Sequence, residues 1–365
     1  MSAIPKTMTA WIAACAGQPK DILELKTNWP IPSSPSSGQI MVQVNYVALN
    51  PGDLKMMAHN VPFRGPFIPC MDFVGEVVQV GPSTPALRVG MMVAGTTSFW
   101  NVWTGVGVLA EYVVVSGDVV VEKPEDLDAS LAPGLLGVAG QTSYVLTRTA
   151  NMRKGDKALV NGASGGVGCI LTQALRGMGV HVTAISSAKN EAMVRRFGAE
   201  EVLSVPPNPP SHDETSNTWF LQFVDYTAHA SVYDYLDSLY AAPEKESFGV
   251  IFDCVGDDTL FYRSPKYLKV DGKFLSIEAG PFGFLRFINW QPVILGGTPR
   301  NFVSVFSSPS ANSAREVVTW FNKGWIKEVP VDSLFAMEDV LEALEKLATR
   351  RTAGKIIIKV EAGSG

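Results

Sequence analysis

The sequence predicts an α/β protein in two parts, a β-rich module followed by a doubly wound parallel sheet, and three observations predict it. Up to about residue 128, β-rich runs alternate with glycine and proline at close spacing, the texture of a small barrel or sandwich. From about Ser130 onward, helix-period segments separate short apolar strands, the alternation that builds a parallel sheet. A strand beginning at Lys157 then runs through the glycine turn "NGASGGVG" directly into a helix, as the first unit of such a sheet does.

The elements follow in chain order. "MTAWIAACAG" reads as a first strand and turn, and "IMVQVNYVALN", "DFVGEVVQVG", "VGMMVAG" and "LAEYVVV" as the strands of the β-rich module. The parallel strands are "KALVNGA", "HVTAISS", "FGVIFDCVG", "GKFLSIEAG" and "RNFVSVF". In the helix after the turn, Val167, Ile170, Leu171, Ala174, Leu175 and Met178 recur at helical spacing and give one apolar face to pack on a sheet. "SVPPNPPSHDETSNTWF" (204–220) is proline-rich and polar and reads as a surface loop inserted in the second part. Past "RNFVSVF" come the helix "SAREVVTWFNKG", the strand "VDSLFAM", the helix "MEDVLEALEKLATRR" and the strand "GKIIIKV", which break the alternation. The simplest account is that this tail returns to complete the first module. The expected boundaries are therefore 1–128, 129–306 and 307–365.

Composition excludes several classes of partner. The chain has 365 residues, 46% of them hydrophobic, enough for at least one large core. A net charge of −5 and no run of Lys or Arg longer than two leave no electrostatic footprint for nucleic acid or a membrane surface, so a small molecule is the expected partner. Cys15, Cys70, Cys169 and Cys254 are scattered without a C-x-x-C pair, which suits a reducing compartment rather than a disulfide framework. With neither a signal-peptide pattern nor an apolar run of membrane-spanning length, the sequence reads as a cytoplasmic protein. Its oligomeric state is not readable.

The turn comprises Gly162, Ala163, Ser164, Gly165, Gly166, Val167 and Gly168. Its glycines permit a tight bend and close approach of backbone to a pyrophosphate, while the helix start presents free N–H groups to the anion. The plainer alternative is an ordinary glycine-rich turn, which the strand–turn–helix context disfavours. In an NAD site a carboxylate at the end of the next strand accepts from the ribose 2′-hydroxyl. Here that strand ends "AISSAKN", with Ser186, Ser187 and Lys189 and no carboxylate before Glu191. Hydroxyls and an ammonium suit a 2′-phosphate, so the expected cofactor is NADPH.

These segments together resemble the zinc-independent medium-chain dehydrogenases/reductases, of the quinone oxidoreductase and enoyl reductase kind. "VALNPGDLK" and "CMDFVGEVVQVG" resemble that family's GroES-like module, "FDCVGDDTL" the fourth strand of its Rossmann domain, and "GKIIIKV" its closing strand. The resemblance implies that Thr142 and Val255 lie against the cofactor, that the 162–168 turn holds its pyrophosphate, and that Ser186 and Lys189 meet the 2′ position. It also implies that Tyr226, in "FVDYT", approaches the same phosphate. Zinc-dependent relatives carry a catalytic cysteine and a Gly-His-Glu motif where this chain has Asn50 and "PCMDFVGE", so no metal site is expected.

Without a Lewis acid, negative charge developing on a substrate oxygen needs hydrogen-bond donors, and a delocalised enolate or quinol is easier to stabilise than an alkoxide. The family places Asn50 and Lys55 at the catalytic cleft. Asn50 either donates through its amide or supports the turn, and Lys55 either protonates the enolate or is a surface cation. Trp100 and Trp103, in "TTSFWNVWTGVG", either line an apolar substrate pocket or pack beneath their loop. The expected activity is zinc-free, NADPH-dependent reduction of a quinone, enone or enoyl thioester. The alternatives are an enoyl reductase acting in trans on a carrier-bound substrate of a megasynthase, and an NADPH-binding protein without turnover.

Overall fold

The computed structural model describes residues 4–61, 64–197, 223–225, 232–240, 247–277 and 297–360. The chain divides into two units, Met1–Gln141 with Ser307–Thr319 and Val329–Gly365, and Thr142–Phe306 with Trp320–Glu328. The division after Gln141 falls later than the change of texture near Ser130 because the first helical turns beyond it, α4 (Ala132–Leu136), pack on strands of the first unit.

In the first unit β1 (Thr7–Ala13) and β2 (Leu23–Pro30) form an antiparallel pair. The larger sheet is built from β3 (Gln39–Leu49), β4 (Asp72–Val80), β5 (Met92–Thr96), β6 (Tyr112–Ser116), β7 (Val120–Glu122), β14 (Val331–Ala336) and β15 (Lys355–Lys359). Its order is β14-β15-β3-β4-β5-β7, with β6 also paired to β3. The tail strands β14 and β15 thus lie in the first module's own sheet. The helix between them, α11 (Val340–Ala348), buries Val340, Ala343, Leu344 and Leu347 in the core formed by Val42, Val47, Phe73 and Val113.

Register decides what gathers at one rim of this sheet. Ala48 is opposite Asp72 across β3 and β4, and Leu49 is opposite Ile356 across β3 and β15. Asn50, Asp72 and Lys355, distant in sequence, therefore meet at the same strand ends.

The second unit holds β8 (Lys157–Asn161), β9 (His181–Ser186), β10 (Phe223–Asp225), β11 (Phe248–Asp253), β12 (Leu268–Ser276) and β13 (Asn301–Ser304). They pair in parallel throughout, in the order β10-β9-β8-β11-β12-β13. Counted within the unit this is 3-2-1-4-5-6, the doubly wound arrangement whose ligand crevice lies where the order reverses, outside the carboxyl ends of β8 and β11. The helix after β8, α6 (Gly166–Gly177), is buried on more than the one face its pattern predicts. Ile170, Leu171, Ala174 and Leu175 are buried as expected, but so are Thr172 and Gln173, whereas Val167 and Met178 are only half-buried. Gln173 explains the extra face. Its amide nitrogen donates to the carbonyls of Cys169 and Glu328, and its oxygen accepts from the N–H groups of Lys327 and Glu328. A polar side chain can be buried there because both ends are satisfied.

No helix among the described residues is long and apolar enough to cross a membrane.

Candidate active site

The glycine turn sits at the carboxyl end of β8. Gly162 has φ +80°, a left-handed conformation in which glycine carries no steric cost. A β-carbon there would also lie 2.8 Å from Cγ2 of Val255, so the turn and the residue after β11 touch. Gly168 is held closer still. A β-carbon on it would lie 2.1 Å from the carbonyl oxygen of Gly162. Gly165, the residue before α6, is different: a β-carbon there would meet only the Gly162 oxygen, at 3.4 Å, and otherwise face open space. The turn thus has a packed side at Gly168 and an open side at Gly165, beside which the first N–H groups of α6 emerge.

At the end of β9 the serines expected from the sequence are brought to this turn. The Ser186 hydroxyl donates to Ser164 Oγ at 2.8 Å, and both side chains are buried. Ser187 is also buried, and Lys189 is exposed beside it. Asn190 completes the cluster: its amide nitrogen lies 3.0 Å from Ser164 Oγ and 3.1 Å from Ser187 Oγ. Sequence reading missed Asn190, whose only local signal is that of a turn residue. Thr142 is buried on α5 (Val138–Ala150), where its neighbour Ser143 donates to the carbonyl of Val167 in the first turn of α6. Tyr226 and the 204–220 segment lie outside the described residues.

The loop after β11 is fixed by Asp253. One carboxylate oxygen accepts from the N–H of Val255 and the amide of Asn161, the other from Asp257 N–H and the Ser276 hydroxyl, and Gly256 N–H reaches both. Burial pushes this carboxyl above its ordinary range, while those donors pull it back. The result is that Val255, itself 51% exposed, is held over Gly162.

In the first unit Asn50 caps α2 (Pro51–Ala58) in a reciprocal capping box with Asp53. Its amide nitrogen donates to Asp72 Oδ2 at 2.8 Å and to the Ala48 carbonyl at 3.4 Å, and its oxygen accepts from Lys355 Nζ at 2.6 Å. Both amide hydrogens are committed inside the protein. This corrects the expectation that Asn50 donates to a substrate and selects the alternative, a supporting residue. The motif "ALNPGD" held the signal, since Asn before Pro with Asp three residues on is a helix-start pattern.

Asp72 is fully buried and accepts from Asn50 and from the N–H of Val138, with Lys355 Nζ 3.6 Å away. Lys355 is buried as well and also donates to the Leu49 carbonyl. Burial raises the Asp72 carboxyl, and the Lys355 ammonium and its hydrogen-bond donors lower it. Asp53, beside them, is pushed up to about 7 by burial and then by the Asp72 charge. Cys70 is buried in left-handed backbone, φ +70°, and burial together with Asp53 and Asp72 drives its thiol well up. In this setting it is a poor thiolate and hence a poor nucleophile. Lys355 carried no sequence signal beyond a lysine at the start of an apolar strand.

Lys55 is exposed on α2. Trp100 and Trp103 lie on the short helix α3 (Phe99–Trp103). Trp103 is half-buried against the His59 ring, 5.3 Å between centroids, near Met56, Met71 and Val102, whereas Trp100 is 71% exposed.

Comparison with known proteins extends this geometry. Residues 36–125 match the alcohol dehydrogenase GroES-like domain and residues 221–358 the zinc-binding dehydrogenase family. The medium chain reductase pydE of an Acremonium species is 30% identical, over 97% of this chain and 99% of that one. The trans-enoyl reductase poxH of Penicillium oxalicum is 28% identical, over 97% and 98% respectively. The fold is shared with the quinone oxidoreductase of Coxiella burnetii, at a TM-score of 0.77 and 23% identity over 97% of this chain and 99% of that one.

Proposed function

The chain belongs to the medium-chain dehydrogenase/reductase family, as an oxidoreductase of the quinone and enoyl reductase type, and from that premise we propose that it is a zinc-free, NADPH-dependent reductase of conjugated carbonyl compounds. The observation that carries the cofactor reading is the cluster that Ser164 of the glycine turn forms with Ser186 and Asn190, with Lys189 next in sequence and no carboxylate from Ser186 to Asn190. The room at Gly165, at the start of a helix whose first N–H groups are free, fits a dinucleotide phosphate. When bound, a reduced nicotinamide supplies a hydride.

The chain's own residues do the rest. The Gly162–Gly168 turn and the first N–H groups of α6 bind the pyrophosphate, Val255 and Thr142 flank the cofactor, and Ser164, Ser187 and Lys189 bind the 2′-phosphate. Zinc does not fit the residues present. Asp72, standing where the ligand motif of zinc-dependent relatives falls, already faces the Lys355 ammonium, which would repel a dication, and the Asn50 amide is committed as described. Charge arising on the substrate must therefore be met by hydrogen-bond donors, which suits a delocalised enolate or quinol oxygen. With the Asn50 amide engaged, Lys55 is the residue that gives the proton. Trp100 offers an exposed aromatic face to an apolar substrate.

The test is product analysis with deuterium-labelled NADPH and a simple enone. Deuterium is expected at the carbon β to the carbonyl. Deuterium at the carbinol carbon, with the alkene intact, would overturn the reading and make the protein a carbonyl reductase. The likeness to a trans-enoyl reductase over nearly the whole chain favours a second reading, in which the substrate is a carrier-bound enoyl thioester. That reading expects the thioester on its carrier to be reduced faster than the free enone.

A further inference from the structure

We propose that Asn190 is a positioning residue that fixes Ser164 and Ser187 as hydrogen-bond donors and so sets the preference for a 2′-phosphorylated dinucleotide; the proposal rests on the cofactor reading above. A serine hydroxyl has one hydrogen to give and two lone pairs to receive. Ser164 Oγ receives from the Ser186 hydroxyl at 2.8 Å and from Asn190 Nδ2 at 3.0 Å, so both lone pairs are taken. Its own hydrogen can only point to a further acceptor. The second hydrogen of the same amide goes to Ser187 Oγ at 3.1 Å, which takes one lone pair of that hydroxyl and leaves its hydrogen available to donate outward. One planar NH₂ group thus orients two hydroxyls, on chain segments that only the fold brings together. The backbone holds it in place, because Asn190 N–H closes a turn on the Ser187 carbonyl at 2.9 Å.

The consequence is chemical selectivity. Hydroxyls free to rotate serve a donor or an acceptor equally and would accommodate a ribose 2′-hydroxyl as readily as a phosphate. Hydroxyls held as donors suit a group that only accepts, and a dianionic phosphate accepts with charge-assisted bonds. Lys189, one residue before Asn190, adds the positive charge but cannot orient the hydroxyls. Polarity set by Asn190 and charge set by Lys189 are separate contributions to one site.

The experiment measures Kd for NADPH and for NADH in the wild type and in Lys189→Ala, Asn190→Leu and Asn190→Ala, with thermal melting of each. Loss of one such contact should raise the NADPH Kd of Asn190→Leu about tenfold, leaving NADH within about twofold. Asn190→Ala, neutral and smaller, removes the same two donors without adding charge and should lose a similar share of NADPH affinity, which keeps the test decisive if the leucine variant misfolds. The ratio of the two constants is the readout, because a merely structural role would shift both cofactors together. A wild-type ratio retained in both Asn190 variants while Lys189→Ala lowers it overturns the role of Asn190 and leaves the cofactor reading standing, as does an equal loss of both cofactors in those variants. A wild type that binds NADH as tightly as NADPH overturns the cofactor reading itself.

Discussion

Two carboxylates share one buried ammonium in the first unit, and at the scale of single residues that imbalance dictates a pH dependence. Asp53 is buried, is raised from 3.8 to about 7, and has an oxygen, Oδ1, without a hydrogen-bond partner. The folded protein therefore keeps the Asp53 proton in a range where the unfolded chain has released it. Because the folded state binds more protons between about pH 4 and 7, stability falls as pH rises through that window, by up to about 1.4 kcal/mol per pH unit, and levels off above it. Asp53→Asn keeps an oxygen for the Asn50 N–H and removes the titration. Its advantage over the wild type in chemical denaturation should widen from pH 5 to pH 7.5, and parallel stability curves would exclude Asp53 as the titrating group. Asp72, Lys355, Asn50 and Cys70 face it, and they are unchanged in both proteins. This network also marks the limit of reading the site from sequence. The glycine turn and the serines Ser186 and Ser187 gathered at it were legible because they follow from one strand–turn–helix context. Lys355 and Asn190 were not, since their meaning comes from residues some 305 and 26 positions away. Asn50 was legible as either a donor or a support of its turn, and what decides between them, Asp72 and Lys355 on its amide, lies 22 and 305 positions away.

At the scale of the element, the junction of β8 and α6 separates what a glycine does for the fold from what it does for a ligand. A methyl group on Gly168 would be forced against the Gly162 carbonyl, a backbone atom with nowhere to go, whereas one on Gly165 would project into open space. Gly168→Ala should therefore lower the melting temperature by several degrees, since about 1 kcal/mol shifts a domain of this size by roughly 2–4 °C. Gly165→Ala should leave melting nearly unchanged and yet weaken NADPH and NADH alike, because its methyl occupies the anion's place. Calorimetry of both variants with and without cofactor checks the pair. A stable Gly165→Ala protein that binds both cofactors normally would remove the open side of the turn from the site. The elements themselves were readable wherever period or punctuation was strong, as in β8, β9, β11 and α6. What periodicity could not show was the second buried face of α6, because Gln173 reads as a solvent residue until the 327–328 backbone is laid against it. The return of the tail was legible from a break in alternation, but its place beside β3 depends on long-range pairing that no local pattern encodes.

At the scale of the whole molecule, the balance of metal ligands and charges predicts independence from zinc. The chain has four cysteines, and they divide two and two between the units, Cys15 and Cys70 in one, Cys169 and Cys254 in the other. A structural site of four converging thiolates cannot be assembled from them within either unit. Burial and nearby negative charge push the Cys254 and Cys70 thiols up. At the rim of the first unit the place of a dication is taken by Lys355, whose ammonium already neutralises Asp72 in a buried pair. Inserting zinc there would mean expelling a buried cation and leaving Asn50 without the donor to its oxygen, a rearrangement of the kind that costs about 3–5 kcal/mol when one partner of a buried pair is lost. Protein purified in metal-free buffer should thus contain no stoichiometric zinc by elemental analysis, and prolonged treatment with a strong chelator should leave enone reduction unchanged. Added zinc should give no activation. Activity abolished by the chelator and restored by zinc would show that the Asp72–Lys355 pair opens to admit a metal, and the argument from hydrogen-bond donors to a conjugated substrate would lose its premise.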